Sequence, residues 1–398
     1  MKGSVVVQKA KRLEGLTSAV FADMEQKKDL VAARGVGIIN LGIGSPDMAP
    51  ALHVIERLQK EIADQGNYGY AITGLPELLE AIAHWYANRF GVELDPQTEV
   101  VDLIGSQEGL AHISLAVINP GDVVLVPDPG YPIYSAGPLF AGAELYYLPL
   151  LESNNYLPDL DAIPAEIRRK AKMIVLNYPN NPLTATADLD FFQRLVEFAH
   201  ENQILICHDA AYSELAFDGY TPPSILQVPG AREVAVEFHS CSKTFSMAGC
   251  RVGFMSGHAD VVSWLKTVKS YTDYGIFKPI QYAAIAALTG PQTYVQETAR
   301  RYQRRRDVLI DGLRSIGWQI EKPKATMFVW APVPAGYSSQ EFAIELLEKT
   351  GVVVLPGIGF GPAGEGYVRI GLVQPEDALQ EAVDRLAKSG IFVRPATA

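Results

Sequence analysis

Residues 237–253 read Glu-Phe-His-Ser-Cys-Ser-Lys-Thr-Phe-Ser-Met-Ala-Gly-Cys-Arg-Val-Gly. An apolar run ends here in small polar residues, with Lys243 in their middle and Arg251 eight positions later. The small neighbours would let a planar group come close to the lysine. A lysine can condense with an aldehyde, and burial beside other cations lowers its pKa towards that of a nucleophilic amine. The alternative is an exposed loop lysine, which is what most lysines are.

The pattern Ser-x-Ser-Lys followed by Gly-x-Arg-x-Gly resembles the pyridoxal-phosphate lysine segment of the fold-type I aminotransferases of class I/II. Within that family it is most similar to the branch of alanine and LL-diaminopimelate aminotransferases. Further motifs in the family's order cover nearly the whole chain. The resemblance implies that Lys243 holds the cofactor pyridoxal 5'-phosphate covalently. It also implies three cofactor contacts beside the lysine: Ser240, Ser242 and Arg251.

Four residues in these motifs depart from the family's pattern. Cys250 stands where the branch usually has tryptophan, and Cys241 stands where it usually has a larger apolar residue. After Pro182 the usual Thr-Gly is replaced by Leu183-Thr184. This last change alters the loop without removing the asparagine that precedes the proline.

Composition limits the class of protein. The 398 residues are enough for two domains and a large buried core, and 48% hydrophobic with 20% charged residues is typical of a soluble globular protein. A net charge of −11 argues against a nucleic-acid partner. Three cysteines without ligand spacing indicate no metal site and suit a reducing cytosol. No segment predicts a signal peptide or a membrane span, so we expect a cytoplasmic protein.

Two motifs that follow apolar strands predict cofactor contacts. Residues 105–107, Gly-Ser-Gln, lie between a strand and a helix, where backbone N–H groups at the helix N-terminus can bind a phosphate. The resemblance gives Ser106 and Gln107 that role. Tyr131 follows the next strand, and the family places an aromatic residue there against the face of the pyridine ring.

Two further strand ends carry polar side chains. Asn181 lies in Asn-Asn-Pro, which by itself is turn chemistry. Asp209 ends an apolar strand, where a poorly hydrated carboxylate needs a positive partner such as a protonated pyridine nitrogen. By resemblance, Asn181 and Tyr212 contact the ring oxygen of the cofactor. We expect the neighbouring His208 to be structural.

Candidate substrate contacts lie near the two ends of the chain. Arg369 stands in a strand amid apolar residues and needs an anion, which the resemblance identifies as the substrate α-carboxylate. The family also places Gly44, in a Gly-x-x-Pro-Asp turn, and Asn181 against the substrate. Residues 359–364 match Gly-x-Gly-x-x-Gly, but no helix follows, so we expect a loop and no dinucleotide site.

The resemblance further implies a homodimer with shared active sites. In the family, a tyrosine crosses the interface to the neighbouring subunit's cofactor phosphate. The family usually has four residues between that tyrosine and the following glycine, whereas Tyr70 and Gly74 are separated by three. Tyr70 is the first choice, and Tyr68 is the alternative.

The order of elements predicts an α/β fold. Alternating strands and helices over residues 50–290 indicate a large pyridoxal-phosphate-binding domain with a mostly parallel, helix-covered sheet. Residues 1–49 would form an N-terminal arm and part of a smaller domain, and residues 291–398 a small α+β domain. An arginine-rich run, residues 300–306, is predicted to be a solvated helix face.

These motifs predict an aminotransferase that moves an amino group between an L-amino acid and a 2-oxo acid. Lys243, Asp209 and Tyr212 would be catalytic, with Lys243 as general base and acid. Residues 271–281 are most similar to the alanine members, which favours alanine or glutamate with pyruvate or 2-oxoglutarate. LL-diaminopimelate and aspartate aminotransferases are alternatives. A lyase, which consumes no 2-oxo acid, and a non-catalytic regulator are the rival classes.

Overall fold

A computed structural model describes residues 8–13, 16 and 19–393. Within these residues the α-helices are α1 (Ala19–Ala33), α2 (Leu52–Ala63), α3 (Pro76–Phe90), α4 (Ser106–Val117), α5 (Ile133–Ala141), α6 (Ala165–Lys170), α7 (Leu189–Asn202), α8 (Cys241–Thr244), α9 (Ala259–Thr272), α10 (Lys278–Thr289), α11 (Thr293–Ser315), α12 (Ser339–Thr350) and α13 (Glu376–Lys388). The strands are β1 (Ile39–Asn40), β2 (Val100–Leu103), β3 (Val123–Asp128), β4 (Glu144–Pro149), β5 (Ala171–Asn177), β6 (Leu205–Asp209), β7 (Ala235–Ser240), β8 (Gly253–Gly257), β9 (Phe328–Pro332), β10 (Val352–Val353), β11 (Leu355–Pro356) and β12 (Tyr367–Gly371).

A seven-stranded sheet with the order β2-β8-β7-β6-β5-β3-β4 forms the centre of the chain. All neighbours in it are parallel except β8, which is antiparallel to both β2 and β7. Its inner strands are almost entirely buried because helices cover both faces and leave neither one to water. This confirms the predicted α/β fold with a mostly parallel sheet.

The two faces of the sheet form separate cores. On one face, Ile174 and Ile206 pack in a cluster with Phe192 of α7 and residues of α3. On the other, Cys207 and Phe238 pack with residues of α4 and α9. Because side chains alternate along each strand, consecutive residues of β6 and β7 contribute to opposite cores. The polar residues at the strand ends therefore meet at one edge of a rigid layer.

Residues 19–43 and 293–393 together form a second region. There, β11, β12 and β9 form an antiparallel sheet, and β1 pairs in parallel with β10, Ile39 opposite Val352. Helices α1, α11, α12 and α13 contribute residues to the core of this region. Residues 36–43 contain only the two-residue strand β1. The side chain of Asn40 accepts a hydrogen bond from the Gly42 N–H, which turns the backbone away from the ladder.

The arginine-rich part of α11 corrects one expectation. Arg305 and Arg306 are only 3% and 2% exposed, so the prediction of a solvated face is wrong for these two. Arg305 donates to both carboxylate oxygens of Asp47, at 2.8 and 2.7 Å. Arg306 pairs with Asp218 and with Asp307. Both carboxylate partners outside α11 come from distant parts of the chain, and they let these guanidinium groups be buried.

The Gly-x-Gly-x-x-Gly motif lies in two short 3₁₀ turns, Gly357–Phe360 and Pro362–Gly364, as expected for a loop. In the described part of the chain, no helix combines the length and the apolar character needed to cross a bilayer.

Candidate active site

A cavity of about 550 Å³ lies where the ends of β5, β6 and β7 meet the second region. Most of the side chains that the sequence singled out lie around it. Its lining contains Gly44, Ser106, Gln107, Tyr131, Asn181, Asp209, Tyr212, Ser242, Lys243, Arg251 and Arg369. The fold therefore assembles residues that are up to 325 positions apart in the chain (Gly44 to Arg369) into one pocket.

Lys243 lies on α8, directly after β7, and its Nζ donates a hydrogen bond to the carbonyl oxygen of Gly44 at 2.6 Å. Burial lowers the pKa of this amine to about 8, and the positive charges of Arg369 and Arg251 add to the effect. The charge of Asp209 acts in the opposite direction. A large fraction of the amine is therefore neutral, and so nucleophilic, in mildly alkaline solution.

Asp209 is the last residue of β6, and its carboxylate accepts two hydrogen bonds. Tyr134 Oη donates to Oδ2 at 2.8 Å, and the Ala211 N–H donates to Oδ1 at 3.2 Å. Burial raises the pKa of Asp209, although the hydrogen bond from Tyr134 acts against this. Among residues 8–13, 16 and 19–393, no cationic side chain forms an ion pair with Asp209. The buried carboxylate could therefore pair with a cationic group of a ligand.

Arg369 lies on β12 between two aromatic rings. Its Cζ is 4.2 Å from the ring centroid of Phe328 and 4.9 Å from that of Phe360. Nη1 donates to Asn181 Oδ1 and Nη2 to the Gly42 carbonyl, both at 2.9 Å, while Nε is buried without a partner. Burial lowers its pKa to about 10, so the group stays charged at neutral pH. A buried guanidinium held by neutral acceptors suits a carboxylate ligand.

The opposite end of the cavity favours an anion. Helix α4 begins at Ser106, and the residue before it, Gly105, offers no side chain to cap the first N–H groups. Gly105 has φ +76°, and a Cβ there would lie 2.5 Å from Arg251 Nη2. Glycine therefore lets the guanidinium approach the helix N-terminus. Tyr131 Oη donates to Gln107 Oε1 at 3.0 Å, which links the aromatic residue to the same end.

Asn181 and Tyr212 lie between these two ends. Asn181 Nδ2 donates to Tyr212 Oη at 3.4 Å, and burial raises the pKa of the Tyr212 phenol. Asn177, the last residue of β5, links the turn after its own strand to the end of β6. Its Oδ1 accepts a hydrogen bond from the Asn181 N–H at 2.7 Å, and its Nδ2 donates one to the Asp209 carbonyl at 2.7 Å.

Ser240 and Tyr70 lie outside the described lining. The Oγ of buried Ser240 accepts from the Ser242 N–H at 3.2 Å and so caps α8, which supports the lysine without facing the cavity. Tyr70 is 82% exposed, with its ring 5.0 Å from that of Tyr274. The alternative, Tyr68, is also exposed and donates to the Ile62 carbonyl. Neither tyrosine reaches the cavity of its own chain, and the interface role stays a prediction.

Three residues of the site were missed by the sequence reasoning: Tyr134, Asn177 and Phe328. Tyr134 follows Tyr131 by one helical turn, and this spacing was the available signal. Asn177 ends its strand next to the end of β6, paired with Asp209, which only the sheet register reveals. Phe328 carried no signal, since it reaches Arg369 from the neighbouring strand β9.

The groups around the cavity fit pyridoxal 5'-phosphate. The uncapped start of α4 and Arg251 provide donors for a phosphate, and Asp209 provides a buried carboxylate for a protonated ring nitrogen. Between them, Lys243 presents an amine with a lowered pKa. The residues present therefore match the cofactor that the resemblance implied.

The chain is similar to known proteins over nearly its whole length. Residues 36–386 match the family described as aminotransferase class I and II. The chain is 52% identical over 383 residues to the LL-diaminopimelate aminotransferase of Moorella thermoacetica, which covers 96% of this chain and 98% of that protein. It is 53% identical over 378 residues to the same-named protein of Desulforudis audaxviator, at 95% and 96% coverage. The substrate-bound structure of BacF from Bacillus subtilis superposes with a TM-score of 0.93 at 38% identity, covering 99% of this chain and 100% of that one.

Proposed function

Because the chain belongs to the class I and II aminotransferases, which use pyridoxal 5'-phosphate, we propose that it transfers an amino group from LL-diaminopimelate to a 2-oxo acid. The observation that carries the reaction type is the meeting of Lys243, Asp209 and Arg369 in one cavity. The donor rests on the two relatives named LL-diaminopimelate aminotransferase, which match more than nine-tenths of the chain at 52% and 53% identity. The comparisons favour this donor over the alanine or glutamate expected first.

Lys243 moves the proton in this proposal. Its buried amine has a pKa of about 8. It can therefore take a proton from the substrate α-carbon as a general base and deliver that proton to a second carbon as a general acid. Arg369 binds the α-carboxylate and Gly44 borders the same space, so the α-carbon is held facing the lysine. When bound, pyridoxal 5'-phosphate supplies the electron sink for the carbanion.

The remaining residues hold and tune the cofactor. Ser106, Gln107, Ser242 and Arg251 would bind the phosphate, while Tyr131 would pack on the ring. Asp209 would keep a proton on the ring nitrogen, since a carboxylate buried without a cation favours a protonated partner. Asn181 and Tyr212 would donate to the ring oxygen.

The donor can be tested in the half-reaction. Each amino acid is mixed alone with the cofactor-loaded protein, and the cofactor absorbance is followed in time. We expect LL-diaminopimelate to react at least about tenfold faster than alanine, glutamate or aspartate, a difference of roughly 1.4 kcal/mol in barrier. Aspartate should be slow because Arg251 and Arg369 are the guanidinium groups in the described lining, and the phosphate occupies the first. Equal or faster reaction of alanine would overturn the proposed donor but not the enzyme class.

We further propose that the chain forms a homodimer across an exposed aromatic patch, defined as Tyr68, Tyr70, Tyr274 and Phe277. The rings pair as Tyr68 with Phe277 at 5.3 Å and Tyr70 with Tyr274 at 5.0 Å. All four side chains are exposed in the single chain. Clustered exposed aromatic residues are typical of protein interfaces, and the expected occupant is a second copy that receives Tyr70 in its site.

Mixing two inactive variants tests this sharing. A Lys243→Ala subunit lacks the amine of its own site, and a Tyr70 variant lacks the group given to its partner. After random exchange, half of the dimers are mixed, and each mixed dimer has one site that contains both Lys243 and Tyr70. About a quarter of all sites should therefore regain activity. The matched control replaces the Tyr70 variant with Tyr68→Phe. Absence of recovery despite demonstrated exchange and a severe Tyr70 defect would argue against the role of Tyr70.

A further inference from the structure

Tyr134 lies in the first turn of α5 and contributes to the lining of the cavity. It is 3% exposed, and its Oη donates to Asp209 Oδ2 at 2.8 Å. Its ring packs edge-on against Tyr131, with centroids 5.9 Å apart. The hydroxyl is thus aimed at the carboxylate that would face the cofactor ring, while the ring itself is held by packing.

The surroundings of Asp209 differ from those of Glu237, another buried carboxylate in the sheet. Glu237 accepts five hydrogen bonds, from the side chains of Tyr86, Ser224, His239 and His208 and from the Ile225 N–H. Asp209 accepts two within the described residues, one from a backbone N–H and one from Tyr134. Since ionised carboxylates have about four acceptor sites, Glu237 is saturated and Asp209 keeps acceptor capacity for a ligand.

We propose that Tyr134 is a positioning residue that holds the carboxylate of Asp209 in plane and in its charged form for the cofactor ring nitrogen. Tyr134 would act through Asp209 and would touch no reacting atom. The inference rests on the proposed function only in assuming that the cavity binds pyridoxal 5'-phosphate; it is independent of the amino donor.

Several other titratable groups also act on Asp209 or are acted on by it. They are Tyr131, Tyr212, Lys243, His208 and His239. The two histidines favour the charged carboxylate, but both bind Glu237 directly. Of the described side chains, Tyr134 is the one whose hydrogen bond reaches the Asp209 carboxylate.

The direction of the pH effect follows from this contact. Burial raises the pKa of Asp209, and the Tyr134 hydroxyl limits the rise. Tyr134→Phe keeps the ring and removes the donor, so the pKa of Asp209 should rise further. In this proposal, the cofactor-free protein binds pyridoxal 5'-phosphate well only when the Asp209 carboxylate is charged. The pH below which binding weakens should therefore move upward in the variant.

The experiment measures the dissociation constant of pyridoxal 5'-phosphate for the cofactor-free protein between pH 5 and 8. Tyr134→Phe should raise this constant about tenfold at pH 7, because a hydrogen bond to a charged group is lost. The acid limb should shift upward by about one pH unit. In an Asp209→Asn background, adding Tyr134→Phe should move no acid limb, because the amide does not titrate.

Tyr178→Phe is the matched control. This phenol is as buried and donates to the Tyr156 carbonyl at 2.7 Å, but it has no contact with Asp209. Its dissociation constant and acid limb should match those of the unaltered protein. Equal effects in both variants, or a Tyr134→Phe constant within about twofold of normal at every pH, would overturn the proposal.

A second variant keeps the test valid if Tyr134→Phe does not fold. Fluorotyrosine placed at position 134 keeps the hydroxyl and makes it a stronger donor. The acid limb should then move to lower pH, opposite in sign to the effect of phenylalanine. An upward shift or no shift would contradict the proposal. Neither readout uses an amino donor, so failure here is distinct from failure of the donor proposal.

Discussion

Lys243→Ala is expected to lower kcat by at least about 10³-fold, because covalent attachment and proton transfer depend on the same amine. Lys243 is the one lysine in the described lining of the cavity, so no other amine there can replace it. The variant should still bind the cofactor, since the start of α4, Arg251 and Asp209 are unchanged. In the unaltered protein, borohydride should fix the cofactor on the peptide that contains Lys243.

Lys266→Ala is the matched control for this experiment. Lys266 also has a pKa lowered by burial and also donates to a backbone carbonyl, that of Gln97 at 2.7 Å, but it lies outside the cavity lining. Turnover in this variant should stay close to normal. A Lys243→Ala protein with kcat within about tenfold of normal, and free of contaminating enzyme, would refute the role given to Lys243.

Glu237→Ala is expected to give the largest loss of stability. The side chain is fully buried and bonds β7 to β6, α3 and the turn Ile225–Gln227. Removing one partner from such a buried network costs about 3–5 kcal/mol. For a domain of this size the apparent Tm should fall by roughly 6–10 °C in thermal unfolding followed by circular dichroism.

Two further variants give this measurement its controls. Glu144→Ala, at an exposed position on β4, should change stability by less than about 0.5 kcal/mol. Glu237→Gln keeps the shape of the side chain but loses its charge. Its Tm should lie between those of Glu144→Ala and Glu237→Ala. A Glu237→Ala Tm within 2 °C of normal, a shift of about 1 kcal/mol or less, would contradict the structural role.

The pH dependence of this stabilisation has a definite sign. Burial alone would raise the pKa of Glu237, but the hydrogen bonds from His208 and His239 outweigh it and hold the pKa well below its usual range. A carboxyl group whose pKa is lowered in the folded state stabilises the folded chain at pH values above its unfolded-state pKa of about 4.3. This stabilisation is lost as the pH falls towards the folded-state pKa. The stability difference between the normal chain and Glu237→Gln should therefore stay constant near neutral pH and narrow only in acid.

Short motifs were enough to identify the family and its cofactor, because the chemistry fixes residue types at strand ends. Lys243 follows an apolar run, Asp209 ends one and Arg369 stands within one, and the comparisons confirm the aminotransferase class. The donor was harder to predict. Residues 271–281, which suggested alanine, contribute no residue to the described lining of the cavity in their own chain.

What the sequence could not predict depends on partners that are distant along the chain. Arg305 looks like any exposed helix arginine until Asp47, 258 positions away, is seen beside it. Tyr134 looks like a packing residue until β6 brings Asp209 to its hydroxyl. In both cases the residue's role depends on a contact between elements, and no local pattern of hydrophobicity or charge reports it.

The cavity lies on a seam between two cores, with Lys243 and Asp209 on the side of the seven-stranded sheet and Arg369 on that of β9, β11 and β12. An amino acid held by Arg369 and facing Lys243 spans this seam. By thermodynamic linkage, part of its binding free energy then holds the two cores together. Under the proposed function the substrate would therefore act as a removable cross-link, and we expect the protein to resist proteolysis better with it than without it.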